Sequence, residues 1–126
     1  MSLSRKIAEP ALREYMRCWA EDDRERWLDL FAEDAVIEDP VGAPLTVGKA
    51  AITAFWDRIH QGEMAMRCEL DRIVVCGEEA LMIFTVITSG AGVEMRVRIA
   101  DLFTFNEAGK ITTMRAFWDQ DCMSMG

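Results

Sequence analysis

The amino-acid sequence predicts an α+β fold in which three helices pack on one face of a curved sheet. Up to about residue 60, the apolar residues recur mainly at the three- and four-residue spacing of amphipathic helices. From there to the end they alternate with polar residues in the two-residue period of strands. At 126 residues the chain has the length of one domain, which we place at residues 1–126.

The first half of the chain contains three predicted helices and one strand. The first helix, 4–20, includes Pro10, which marks either its start or a break in it. A second helix is expected at 24–32 and a third at 48–60, because each segment is amphipathic at helical spacing. Between them, the apolar run before a proline predicts a strand at 34–39.

Four strands are predicted in the second half, at 64–75, 80–89, 93–105 and 111–119. Short breaks that contain glycine separate them, at 77–79, 89–92 and 106–109. Because these connections are short, successive strands are expected to form antiparallel hairpins. In the strand at 80–89 both alternating rows are apolar, which predicts that this strand is covered on both faces.

Charge and cysteine content narrow the classes of function. The net charge of -8 argues against nucleic acid or an anionic membrane as a partner, and it disfavours strongly anionic substrates. The four cysteines include no Cys-x-x-Cys pair, and a single histidine, His60, cannot complete a Cys/His zinc site. Since no apolar run resembles a signal peptide or a membrane span, we expect a cytoplasmic protein.

An acid interrupts the apolar row of the strand at 93–105. Its odd-numbered residues are all apolar except Asp101, and side chains alternate between the two faces of a strand. Unless a bulge intervenes, Asp101 points into the same apolar space as Ile99 and Phe103. Burial disfavours an ionised carboxylate, and a neutral carboxylic acid donates a hydrogen bond. Asp101 is therefore expected either to donate to a substrate oxygen or to be a structural acid paired with backbone amides or an arginine.

A second acid lies at the end of the predicted strand at 34–39. In the run FAEDAVIEDPVG, Asp39 falls on the same side as Ala35 and Ile37, directly before a proline. Because Ala35 and Ile37 are apolar, this parity predicts that the Asp39 carboxyl also points toward the interior.

Three segments are characteristic of one known family: LFAEDAVIEDPVG at 30–42, ITAFW at 52–56 and DLFTFNEAGKITTMRAFW at 101–118. In these segments, and from about Leu12 to Trp118 in all, the chain resembles the Δ5-3-ketosteroid isomerases of the NTF2-like (SnoaL-like) superfamily. Tyr15 falls where that family keeps its catalytic tyrosine, 24 residues before Asp39. The resemblance implies a cone of three helices within a strongly curved, mostly antiparallel sheet, around an apolar pocket. It also implies a homodimer.

The same resemblance implies a reaction and three roles. Asp39 matches the general base that moves a proton from carbon 4 to carbon 6 of a 3-ketosteroid, which shifts the double bond from Δ5 to Δ4. Tyr15 matches the phenol, and Asp101 the protonated acid, that both donate to the carbonyl oxygen at carbon 3. Ketosteroid isomerase is itself the established example of an acid kept neutral by an apolar site for this purpose. The family's reaction uses a small hydrophobic substrate and needs no metal or organic cofactor.

Register and side-chain parity indicate which residues line the pocket: Trp19, Phe31, Phe55, Trp56, Met82, Phe84, Val86, Val97, Met114, Ala116 and Trp118. Such a wall suits a flat hydrophobic ligand such as a steroid or polyketide, and it equally suits ordinary core packing. Trp56 and Phe31 stand where family members have tyrosines. Because these two side chains lack a hydroxyl, the hydrogen-bond network around Tyr15 is expected to differ from that of the family.

Other functions are compatible with the same fold, including a polyketide cyclase with a single aspartate base. A dehydratase with an Asp–His pair is disfavoured, since His60 ends a helix and is expected to interact with the C-terminal dipole. An epoxide hydrolase needs an inward arginine, whereas Arg96 and Arg98 have the outward parity and Arg115 lies off the pocket row. A non-catalytic module that binds a hydrophobic ligand is the third alternative.

Overall fold

Residues 3–62 and 64–125 of this computed structural model form three α-helices, one short 3-10 helix and a seven-stranded sheet. The helices are α1 (Arg5–Glu21), α2 (Arg24–Asp29) and α3 (Lys49–Ile59). The strands are β1 (Phe31–Glu38), β2 (Thr46–Val47), β3 (Ala65–Cys76), β4 (Glu79–Gly90), β5 (Val93–Phe105), β6 (Ile111–Phe117) and β7 (Met123–Met125). Within the described ranges, no helix is long and apolar enough to cross a membrane. The predicted α+β class is confirmed.

Helix α1 begins at a serine cap and continues through a proline. The Ser4 hydroxyl accepts a hydrogen bond from the Lys6 amide, which satisfies one of the free donors of the first turn. Pro10 lies inside the helix on its exposed side. The expectation that Pro10 marks the start or a break was therefore wrong, because the carbonyl that loses its partner at Pro10 lies on the solvent side.

The second helix is shorter than the sequence predicts. Helix was expected over 24–32, but α2 ends at Asp29 and Phe31 already begins β1. Phe31 pairs with Ile111 of β6, and the Ile111 amide donates to the Leu30 carbonyl at 2.8 Å. This pairing with a distant strand overrides the local helical periodicity, so the prediction for the last residues of 24–32 was wrong.

The sheet combines antiparallel hairpins with one parallel contact. Its order is β2-β1-β6-β5-β4-β3, and β7 pairs with β5. The β3–β4, β4–β5 and β5–β6 pairs are antiparallel, as the short connections predict. Strand β1 runs parallel to β6. This contact places the end of β1 only two strands away from β5.

One face of the sheet carries the core. Along β4 the residues Ala80, Met82, Phe84 and Val86 are at most 6% exposed. Most of the opposite row of β4 is half-buried, so this strand is only partly covered on its second face. Fully burying a large apolar side chain contributes about 1.5–3 kcal/mol. The inward face of the sheet and the helices packed on it therefore form the main source of stability.

The chain returns to the sheet at its C-terminal end. A strand was expected over 111–119, but β6 ends at Phe117 and is followed by a 3-10 helix, Gln120–Cys122. Strand β7 then pairs with Met95–Val97 of β5. It covers the part of the β5 edge that β6 does not reach, and so removes an exposed strand edge.

The β4–β5 hairpin turns at a residue with an unfavourable backbone conformation. Gly90 pairs with Val93, which leaves Ala91 and Gly92 as the loop, with φ values of 52° and 78°. Two-residue turns with positive φ at both positions favour Asn-Gly. A residue with a Cβ atom costs roughly 1–2 kcal/mol in the left-handed region.

Replacing Ala91 by Asn is expected to raise the free energy of unfolding by about 1 kcal/mol, because Asn tolerates the left-handed conformation. Urea denaturation measures the change. The matched variant Ala91→Val, which places a β-branched residue in the same conformation, is expected to lower stability. An Asn variant that is no more stable than the parent would contradict this assignment of the turn.

Candidate active site

Asp101 lies on the inward face of β5, as the alternation predicts. The β4–β5 register is continuous from Glu79 to Gly90, so no bulge intervenes. Asp101 is only 2% exposed and pairs with Met82 on one side and Ala116 on the other. Its Oδ1 atom is buried and has no hydrogen-bond partner among the residues that the structure describes. A structural acid would have its oxygens paired, so this geometry favours the first of the two expected roles, that of a donor to a ligand oxygen.

The surroundings of Asp101 favour the uncharged form of its carboxyl group. Burial raises the pKa of Asp101 well above its usual range, and the negative charge of Asp39 raises it further. The physical cause is the loss of hydration, which penalises the charged form of an acid much more than the neutral form. A neutral carboxyl group has an O–H to donate. Asp101 therefore offers a hydrogen-bond donor inside an apolar space.

Asp39 lies level with Asp101, two strands away. Strand β1 ends at Glu38, whose partner on β6 is Arg115, so Asp39 directly follows the strand at the level of Ala116. Ala116 in turn pairs with Asp101. Adjacent strands lie about 4.8 Å apart, which separates the backbones of the two acids by roughly 10 Å. Only the small side chain of Ala116 stands between them on the inward face.

A tryptophan holds the Asp39 carboxyl group. Trp118 follows β6, and its Nε1 donates to Asp39 Oδ1 at 2.7 Å. Partial burial raises the pKa of Asp39, and this hydrogen bond opposes the increase because it stabilises the charged form. The rise is smaller than for Asp101, so Asp39 is the more readily ionised of the two acids. Sequence parity placed Trp118 on the pocket wall but gave no sign of this contact.

Tyr15 lies on α1 above the same face of the sheet. Its ring is 1% exposed and stands edge-on to Phe103, with ring centroids 5.4 Å apart. Phe103 is two residues from Asp101 on the same face of β5. Burial raises the pKa of Tyr15 well above its usual range, and the negative charge of Asp39 raises it further. The phenol therefore keeps its proton and remains a donor.

The residues around Tyr15 supply no second phenol. Tyr15 is the only tyrosine in the chain, and its nearest rings are Trp19, Trp27, Phe31 and Phe103. Trp56 contacts Trp19 and Trp27, and it stacks on His60 with ring centroids 3.7 Å apart. The tyrosine network of the resembled family is therefore replaced by an apolar aromatic cluster.

Most of the predicted wall residues are part of the core. At most 9% of each of the following residues is exposed: Trp19, Phe31, Phe55, Trp56, Met82, Phe84, Val86, Met114 and Ala116. Val97 and Trp118 are half-buried. The structure brings Met82 and Ala116 into register with Asp101, and Trp19 against Tyr15. Contact of these residues with a substrate stays a prediction.

Two cavities lie near residues that contact Tyr15 and Asp39. One, of about 240 Å³, lies between the C-terminal ends of α1 and α3 and is lined in part by Trp19 and His60. The other, of about 450 Å³, is lined by Val41, Phe117, Trp118, Asp119 and Cys122. The first adjoins Tyr15 through Trp19, and the second adjoins Asp39 through Trp118.

The side chains that the alternative reactions would need have other partners. His60 ends α3, and its Nδ1 donates to the Trp56 carbonyl at 3.0 Å, which is the helix-end interaction expected for it. Arg115 pairs with Glu38 at 3.0 Å, and Arg96 pairs with Glu94 at 2.9 Å. These contacts give neither a histidine nor an arginine next to Asp39.

Known proteins resemble this chain over most of its length. The SnoaL-like domain model matches residues 12–114, which include Tyr15, Asp39 and Asp101. A steroid Delta-isomerase of Nocardioides simplex is 38% identical over 89 residues, which are 71% of each chain. The crystal structure of a Delta 5-3-ketosteroid isomerase from Mycobacterium sp. is 28% identical, with a TM-score of 0.82 over 100% of both chains. The Mycobacterium tuberculosis protein RV0760c, solved with estradiol-17beta-hemisuccinate, is 29% identical, with a TM-score of 0.80 over 98% of this chain and 99% of that one.

The uncharged state of Asp101 predicts how stability varies with pH. The native protein keeps this proton at pH values where the unfolded chain has released it. In that window the native state binds more protons, so the parent loses stability as pH rises. Replacing Asp101 by Asn removes the titration. We therefore compare the free energy of unfolding of the variant with that of the parent. The difference, variant minus parent, is expected to increase with pH above about pH 4, by up to about 1.4 kcal/mol per pH unit.

Urea denaturation at a series of pH values measures this difference. Asp57→Asn is the control, because Arg24 donates to Asp57 and lowers its pKa. Its depressed pKa contributes stability above the unfolded pKa, so this variant should change the pH dependence in the opposite direction. A difference between the parent and Asp101→Asn that stays constant with pH would show that Asp101 is ionised in the native protein.

Proposed function

The chain belongs to the SnoaL-like (NTF2-like) domain family, and from this premise we propose that it is a steroid Δ-isomerase that converts Δ5-3-ketosteroids to Δ4-3-ketosteroids. Its 38% identity to a steroid Delta-isomerase supports an isomerase. The observation that carries the specific reaction is the Asp101 carboxyl group, which is buried in an apolar face with an unpaired oxygen, level with Asp39. Such a pair provides a donor and a base on one surface.

The reaction proceeds through two proton transfers by one carboxylate. Ionised Asp39 takes the proton from carbon 4, and the electron pair of that C–H bond moves toward the carbonyl oxygen to give a dienolate. The same proton then returns from Asp39 to carbon 6, and the double bond is left between carbons 4 and 5. Because the base regains its starting state, the step needs no other proton donor or acceptor.

Tyr15 and Asp101 stabilise the negative charge that develops on the carbonyl oxygen. Both groups keep their protons, because burial raises the pKa of each well above its usual range. A neutral donor in an apolar site stabilises an oxyanion strongly, since water does not compete for the hydrogen bond. Loss of one such donor typically lowers kcat by about 10²–10³-fold.

The apolar face around these groups supports a steroid-like substrate. Met82 and Ala116 lie beside Asp101, and Trp19 stacks on Tyr15 with ring centroids 5.9 Å apart. RV0760c, a structural relative at 29% identity, was solved with an estradiol derivative, which supports the same class of ligand. The homodimer implied by the resemblance and the cytoplasmic location expected from the sequence stay predictions.

The purified protein is expected to convert a Δ5-3-ketosteroid to its conjugated enone, which is followed by ultraviolet absorbance. Asp39→Asn is expected to reduce kcat by about 10²–10⁴-fold, because it removes the base. Asp34→Asn is the matched control, since Asp34 lies on β1 and is exposed to solvent. Equal rates for Asp39→Asn and the parent would contradict the assignment of the base. A folded parent without conversion would favour the cyclase or the ligand-binding module.

The pH dependence of kcat/KM is expected to report the ionisation of Asp39. Activity needs the charged base and is lost as pH falls through its pKa, which burial raises above the usual range. Trp118→Phe removes the hydrogen bond that lowers this pKa, so the acid limb should move to higher pH. Phe117→Leu, at the neighbouring exposed position, should leave the limb in place. An unchanged limb in Trp118→Phe would show that another group is the base.

A further inference from the structure

The cavity of about 240 Å³ between α1 and α3 is lined by two side chains with a polar ring atom that the isomerase mechanism does not use. Trp19, His60, Met64, Met66 and Thr88 are among the residues that line it. The Nε1 atom of Trp19 is buried and has no hydrogen-bond partner among the described residues, and the same holds for the Nε2 atom of His60. Buried polar atoms are almost always paired. Two unpaired atoms on neighbouring side chains beside a cavity therefore indicate a polar ligand group.

The contacts of His60 define which kind of hydrogen bond it offers. Its Nδ1 lies 3.0 Å from the Trp56 carbonyl oxygen, which only accepts, so Nδ1 carries the hydrogen. With the hydrogen on Nδ1, the uncharged form of the ring has a lone pair at Nε2 and can accept a hydrogen bond there. Stacking on Trp56, with ring centroids 3.7 Å apart, fixes the plane of the ring. His60 thus offers one acceptor in a fixed orientation.

Trp19 offers the complementary group. The indole Nε1–H is a donor only. Its ring stands edge-on to His60, with centroids 5.5 Å apart, so the donor and the acceptor belong to adjoining side chains. A hydroxyl group is the simplest partner that satisfies both, because its oxygen accepts from Trp19 while its hydrogen is donated to His60.

The cavity lies at the far end of the apolar face that carries the proposed active site. Along α1, Trp19 is one helical turn beyond Tyr15. Along β4, the inward row leads from Met82, opposite Asp101, through Phe84 and Val86 to Thr88 at the cavity. A rigid polycyclic ligand with its carbonyl group at Tyr15 and Asp101 would point toward this cavity if its long axis followed this row.

We propose that Trp19 Nε1 and His60 Nε2 form a second polar subsite that binds a hydroxyl group at the end of the steroid opposite the reacting carbonyl. This proposal rests on the proposed function. A hydroxyl at carbon 17 satisfies both nitrogens, whereas a ketone there accepts from Trp19 and leaves His60 unpaired. A buried polar atom left without its partner lowers the affinity for the wrong ligand. The protein is therefore specific for 17-hydroxy over 17-keto substrates.

The test compares two Δ5-3-ketosteroids that differ only at carbon 17, one with a hydroxyl and one with a ketone. The parent is expected to give a kcat/KM about tenfold higher for the hydroxyl substrate, the size of one hydrogen bond. His60→Phe keeps the ring stack on Trp56 but removes the acceptor, so the two values should become equal. Trp19→Phe should lower kcat/KM for both substrates, because both accept from the indole.

Trp27→Phe is the matched control. Its Nε1 is also buried and unpaired among the described residues, but Trp27 is not part of the cavity lining. The ratio between the two substrates should not change in this variant. A change equal to that of His60→Phe would mean that the ratio reports general packing, and would overturn the proposal.

Failure of this inference and failure of the proposed function give different results. Conversion of both steroids by the parent with equal kcat/KM overturns the subsite and leaves the isomerase intact. Conversion of neither overturns the isomerase, and calorimetric titration with the two Δ4 products then decides the subsite. Tighter binding of the hydroxyl product, lost in His60→Phe, supports it, and equal binding overturns it.

Discussion

A carboxyl group that is buried in an apolar environment keeps its proton, because its charged form loses far more hydration than its neutral form. Asp101 is held in this way between Met82 and Ala116, with one oxygen free of partners among the described residues. A cation nearby would reverse the effect, and the sheet prevents this by directing Arg96 and Arg115 to glutamates on its other face. The proposed chemistry depends on this one uncharged acid.

The parallel pairing of β1 with β6 places a second acid, Asp39, near Asp101 in a less buried environment. It brings Asp39 level with Asp101 across Ala116, at a strand end where the carboxyl is only partly buried. Trp118 then holds Asp39 by a hydrogen bond that favours its charged form. The surroundings raise the pKa of both acids, but they raise that of Asp101 further, so Asp39 ionises at the lower pH. The proposed roles of Asp39 as a base and Asp101 as a donor depend on this difference.

Side-chain alternation within one strand was enough to predict the placement of Asp101, and the limits of β5 at 93–105 were predicted without error. Features that depend on contacts between distant segments were not predicted from the sequence. Phe31 was assigned to a helix because its periodicity is helical, but pairing with Ile111 makes it a strand residue. The contact of Trp118 with Asp39 joins residues 79 positions apart, and it has no local signal in the sequence. The roles proposed for Tyr15 and Asp39 come from the family resemblance: parity directed the Asp39 carboxyl toward the interior without assigning it a reaction, and no local pattern singled out Tyr15.

The protonation states of the two acids are the central claim, and they can be observed directly. With aspartate labelled by carbon-13 at the side-chain carboxyl, the two resonances are assigned through Asp39→Asn and Asp101→Asn and followed from acidic to neutral pH. We predict that Asp101 is still protonated at neutral pH, while Asp39 titrates at a lower pH than Asp101. Asp101 ionised at neutral pH, or an order of titration in which Asp101 loses its proton before Asp39, would contradict it.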